Sequence, residues 1–146
     1  MATAFAVPEA ARSGGTTAHW GIAPEFDYDT GDIVLDSAGR VEMADKAQSW
    51  IEWCQKAMIT QRGAYGAYPS FGADMLSAMN AGGREASQAA IANAAADALL
   101  NDPCGRTLSV GEFAFEWAGD SVEITFKVRG ADGASGNVNA RLSAAV

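Results

Sequence analysis

The chain has 146 residues, 49% of them hydrophobic and 19% charged, and a formal net charge of −8. That length and apolar content support one domain with its own core and argue against wholesale disorder, while the acidity argues against nucleic acid or an anionic membrane as partner. No apolar run approaches the roughly 18 residues of a membrane helix, and the opening MATAFAVPEAARSGG lacks the basic start and continuous apolar stretch of a signal peptide.

Residues 1–20, rich in Ala, Gly, Ser and Thr, show no sustained period and read as a flexible N-terminal arm that a partner could order. The stretch from Phe26 to Leu35 reads as two short extended pieces about a turn at Asp29-Thr30-Gly31. A second turn follows at Asp36-Ser37-Ala38-Gly39. From Asp45 the pattern becomes helical. Ala47, Trp50, Ile51, Cys54, Ala57 and Met58 share one face, and Lys46, Gln48, Glu52, Gln55 and Lys56 take the other. Asp45 with Gln48 is a capping-box start.

After Thr60 the period breaks into Gln61–Gly72, which contains three glycines, a proline and three aromatics and reads as an ordered loop. A short helix over Ala73–Met79 stops at Asn80-Ala81-Gly82-Gly83, and a longer, alanine-rich helix runs from about Arg84 to Asn101. Pro103 ends it, because proline disfavours helix in the residue before it. Phe113, Phe115 and Trp117 then alternate with Glu112, Ala114 and Glu116, and Val122, Ile124, Phe126 and Val128 alternate with Glu123, Thr125, Lys127 and Arg129. With a turn at Ala118–Ser121 this is a β-hairpin. The expectation is an α+β fold, a small antiparallel sheet whose C-terminal hairpin packs against two main helices. Trp50, Ile51 and Cys54 should lie against Phe113, Phe115, Val122, Ile124 and Phe126. Residues 131–146 form a Gly- and Ala-rich tail in which Val138, Ala140 and Leu142 could make one more short strand.

Catalytic and metal chemistry finds little support. His19 is the only histidine, which excludes a multi-histidine metal site and leaves no basis for a His-based triad. Cys54 and Cys104 are the only cysteines and read as reduced thiols. Asp27 and Asp29 resemble the start of a calcium loop, but its twelfth position would be Ala38, so turn formation explains them better. Gly63-x-x-Gly66 lacks the Lys-Ser/Thr of a phosphate loop. Trp50 and Trp53 fit core packing better than a ligand pocket. No catalytic residue, metal ligand or cofactor is therefore assigned.

The order of segments adds a resemblance. The helix DKAQSWIEWCQKAMIT leads through Gln61-Arg62-Gly63 into Tyr65-x-x-Tyr68-Pro69-Ser70-Phe71-Gly72, followed by a short helix, a long helix ending in Asp102-Pro103 and a hairpin. Over about residues 22 to 130 this resembles the sheath-initiator family of contractile phage tails, baseplate wedge proteins with relatives in contractile bacteriocins and type VI secretion baseplates. It is most similar to the branch of bacterial myophages in which a segment like Phe26–Asp32 precedes the first helix. The family often carries a Glu/Asp-Pro-Arg motif after the long helix. Asp102 and Pro103 match it, whereas Cys104 and Gly105 intervene before Arg106, the candidate for a displaced equivalent.

The resemblance implies assembly rather than catalysis. The protein would be a structural component of the virion tail baseplate, made and assembled in the bacterial cytoplasm and present in several copies per particle. Its partners would be the tail sheath protein and the baseplate wedge and hub proteins, with the tail tube as a further candidate, and it would start the sheath by accepting strands from the first sheath ring. The edge expected to accept them is Val122, Glu123, Ile124, Thr125, Phe126, Lys127, Val128 and Arg129, unless the C-terminal tail covers it. The competing reading is a baseplate-associated peptidoglycan hydrolase, which requires a cleft holding two carboxylates.

Overall fold

The alternation that runs through Phe113–Val128 builds the centre of the molecule. A computed structural model describes residues 2–5, 10–11, 18–27 and 29–143. Its elements in chain order are β1 (Ala2–Phe5), β2 (Ala10–Ala11), β3 (Phe26–Asp27), β4 (Asp32–Ile33), α1 (Lys46–Ile59), α2 (Met75–Met79), α3 (Arg84–Leu100), β5 (Thr107–Ala118), β6 (Ser121–Gly130) and β7 (Ser135–Ser143). The main sheet is antiparallel in the order β1-β5-β6-β7, with β2 also on β5, and β3 and β4 form a separate ribbon. The class is α+β, as expected.

Across β5, β6 and β7 one face is largely apolar. Leu142 pairs with Val122, Ala140 with Ile124 and Val138 with Phe126, and all six are buried. Across the hairpin Phe115 pairs with Ile124. The opposite face carries Glu123 against Arg141 and Thr125 against Asn139. Helix α1 packs over β7 and α3 over β5, closing one hydrophobic core. Trp50 and Cys54 are fully buried in it, while Ile51 is half-buried. The Trp50 indole donates to Thr107 Oγ1 at 2.9 Å, so the largest core side chain also has its polar atom satisfied.

Strand β5 starts five residues before the stretch that alternates cleanly. Its register on β6 shifts by one residue between Thr107 and Ser109 and again between Gly111 and Ala114, with Glu112 at φ 57° in the second bulge. Each bulge inserts one unpaired residue. The second changes the phase, so that Val110 and the odd-numbered Phe113 and Phe115 all face the core. Simple alternation is therefore lost before Phe113, although the strand continues.

The sheet also extends beyond both ends of the expected hairpin. Residues 135–143, part of the stretch read as a tail, pair with β6 along its whole length. The glycines there make room for α1. A Cβ on Gly136 would strike Ile51 Cδ1 at 2.5 Å, and one on Gly130 would lie 2.8 Å from the Trp50 ring. In the stretch read as an arm, Ala2–Phe5 pairs with Phe113–Glu116, and Ala10–Ala11 with Ser109–Val110. Trp20 stacks edge-on against Trp50 at 5.8 Å and donates to Asp132 at 2.9 Å. The rest of the stretch up to Thr17 lies outside the described residues.

Candidate functional site

Two sets of residues carried the functional expectation, and the structure treats them differently. Strand β6 is not an edge. It lies between β5 and β7, so the row of backbone groups expected to be open on Val122–Arg129 is already taken by β7. Val122, Ile124, Phe126 and Val128 are core side chains, and Glu123, Thr125, Lys127 and Arg129 stand on the polar face. The cause is the tail. Val138, Ala140 and Leu142 bury against α1 only if their backbone continues the sheet, and that placement closes the β6 edge.

The outer strands are β7 on one side and β1 with β2 on the other. Along β7, exposed Asn137, Asn139 and Arg141 alternate with buried Val138, Ala140 and Leu142. Asn139 Nδ2 donates to Glu123 Oε1 at 3.0 Å and to Thr125 Oγ1 at 3.1 Å, and Arg141 lies 3.5 Å from Glu123. The Asn139 hydrogen bond, helped by Arg141, holds the Glu123 carboxyl below its ordinary pKa. Among the described residues β7 has no strand on its outer side. The signal for it was present in the sequence as Val138, Ala140 and Leu142, but the Gly and Asn around them masked its strength.

Asp102, Pro103 and Arg106 form a turn between α3 and β5. The Asp102 side chain is 0% exposed and that of Arg106 9%. Arg106 donates from Nε to Oδ2 at 2.8 Å and from Nη2 to Oδ1 at 3.3 Å, and the backbone N–H groups of Cys104 and Arg106 donate to the same carboxylate. The Arg106 guanidinium also sits 5.3 Å from the Trp53 ring centroid. Cys104 and Gly105 are the turn that permits this pairing, with Gly105 at φ 68°, a conformation glycine adopts without strain. Asp102 and Arg106, the residues set against the family's motif, turn their charges on each other, buried. The turn ties elements together instead. His19 N–H donates to the Cys104 carbonyl at 2.8 Å and Ala131 N–H to that of Arg106 at 2.9 Å. Only Pro103 is exposed, lining a groove.

That groove, about 520 Å3, lies between α1, α3 and the Gln61–Gly72 loop and is lined by Trp53, Lys56, Tyr65, Tyr68, Phe71 and Pro103, among others. The loop is closed at its base by Ala73 N–H to Thr60 O and Arg62 N–H to Ala73 O. Tyr65 and Trp53 both meet Phe71 edge-on at about 6 Å, and Lys56 Nζ is 5.1 Å from the Tyr65 ring centroid. No carboxylate lines this groove. A neighbouring one contains Glu52, whose Oε1 accepts from the Phe26 N–H, and a third, beside Leu142, contains none. None of the three therefore supplies the carboxylate pair a hydrolase needs. Among the described residues there is also no group of three or more His, Cys, Asp or Glu side chains able to hold a metal, and no helix long and apolar enough to cross a membrane.

The described strands form a sheet with one polar face, standing on a core closed by two helices. The sequence model of the contractile injection system sheath initiator family matches residues 23–133. The chain belongs to that family and is a structural component of a contractile injection system. Comparison with individually curated proteins returns no match.

Proposed function

We propose that this protein links the baseplate and hub of a contractile tail to the first sheath ring and starts the sheath by accepting a β-strand. The observation carrying this reading is the outer side of β7, a nine-residue strand that has β6 on one side and no described strand on the other. An extended segment of a sheath subunit adding there gains main-chain hydrogen bonds, and the alternating Asn137, Asn139 and Arg141 set its register. Arg141 and the polar face guard this edge against self-association before assembly. The opposite side shows the same principle within the chain, since β1 and β2 add to β5 from far away in sequence.

Proline scanned through residues 137–141 tests this. Positions whose N–H bonds β6 will destabilise the fold, and the alternate positions, which lose side-chain contacts but no ladder hydrogen bond to β6, will cost it far less. Variants of the second class should join baseplates and fail to grow a sheath. Sheathed tails of normal length from those variants would rule out strand addition at β7.

A further inference from the structure

The ribbon of β3 and β4, with the strand-like segment that follows, has no place in the core and yet is firmly held. Phe26 pairs with Ile33, Leu35 with Val41, and Pro24 with Met43. Directly paired residues share a face and so do residues two apart, so Ile33, Leu35, Val41 and Met43 stand on one side of the ribbon. All four are exposed, Leu35 at 58%. A contiguous apolar face on an acidic surface is the kind of patch that contact sites present.

Two buried polar side chains of α1 hold the ribbon in place. The Ser49 hydroxyl donates to the Ala44 carbonyl at 3.3 Å and accepts from Ala23 N–H at 3.0 Å, clasping the two ends of the segment together. Glu52 accepts from Phe26 N–H at 3.1 Å. At its turns, Asp27 accepts from the N–H groups of Asp29 and Thr30, and Asp36 from those of Ala38 and Arg40. The apolar face is therefore pre-organised, which lowers the ordering cost of binding.

Charge selects the occupant. Residues 23–45 contain seven of the chain's 18 acidic residues and one of its ten basic ones. By the same alternation Glu25, Asp32 and Glu42 lie on the back of the ribbon, with Asp29 and Asp36 at its turns. A ribbon is thin enough that these carboxylates act within the Debye length of about 8 Å on whatever covers the front. A second copy of this chain would bring like charge and be repelled, and the N-terminal strands β1 and β2 are engaged on β5.

We infer that the exposed face of Ile33, Leu35, Val41 and Met43 docks on another protein of the particle, at an apolar patch surrounded by lysine and arginine. This rests on the assembly role above only in placing the partner in the same particle. It gives the chain a second contact, separate from the strand edge and dominated by side chains.

The experiment uses full-length chain in particle-producing cells. L35S/V41S and D32K/E42K change only exposed side chains, and E116K, on the polar sheet face, serves as a charge control. Both double variants should keep the wild-type unfolding midpoint and enter particles at least about tenfold less, with E116K unaffected; tenfold corresponds to about 1.4 kcal/mol of lost affinity. A photo-crosslinker at position 35 of the otherwise unaltered chain should mark a Lys- or Arg-containing peptide of a different particle component. Normal incorporation of both double variants overturns the inference. So does a crosslink to a second copy, to the chain itself, or to a peptide without basic residues. Failure at the β7 edge leaves joining intact and abolishes sheath, whereas failure here abolishes joining, so the two readings fall separately.

Discussion

Arg106→Met tests whether the turn after α3 is a structural clamp. Methionine keeps an apolar stem beside Trp53 but removes two charge-assisted hydrogen bonds to Asp102, at 2.8 and 3.3 Å. The carboxylate stays buried with two backbone N–H donors, from Cys104 and Arg106. Removing one partner of a buried pair costs about 3–5 kcal/mol, because the other charge is left without compensation. For a chain of 146 residues each kcal/mol moves the thermal midpoint by about 3 °C. The expected loss is therefore about 10–15 °C, measured by circular dichroism or calorimetry. Adding Asp102→Asn should recover part of it, since the charge is gone and the amide oxygen still accepts from one of the two backbone N–H groups. A fall below about 3 °C, or a double variant less stable than R106M, would refute the clamp.

Other outcomes follow from the same contacts. Trp50→Ala empties the space over Gly130 and strands Thr107 Oγ1, and should cost about 3–5 kcal/mol in denaturant unfolding. Burial, with Asp102 nearby, pushes the Cys54 thiol far above its ordinary pKa, so under native conditions an alkylating reagent should modify half-buried Cys104 and reach Cys54 only on unfolding. Glu123 and Asp74 have carboxyl pKa values held down chiefly by hydrogen bonds from Asn139 and Gln61 respectively. Their stabilising contribution is complete above the unfolded-state pKa and disappears as pH falls through the lower folded value. Asn139→Ala raises the folded value for Glu123, so its stability should fall less than that of the wild type between neutral pH and the acid range. Removing residues 1–17 takes β1 and β2 from β5 and bares that edge. The core should still fold, and the truncated chain should self-associate in size-exclusion chromatography.

Local physics made much of this chain legible. The capping of α1 by Asp45, whose carboxylate accepts from Gln48 N–H at 2.7 Å, and the heart of the hairpin depend on neighbours a few residues apart, and periodicity records such neighbours directly. The resemblance to sheath initiators likewise came from the order of segments and covers nearly the span matched by the family model. Tertiary structure decided what depends on distant partners. Glu52 sits on the helix face that its neighbours make polar, yet it is buried, because the ribbon's Phe26 N–H arrives from outside the helix. The glycines around β7 look like slack until Trp50 and Ile51 of α1 fill the space beside them. Once that strand is in place, β6 becomes interior and the outer edge of the sheet moves outward by one strand. Which backbone row is left open depends on how many further strands join the sheet, and alternation within one strand carries no record of that number.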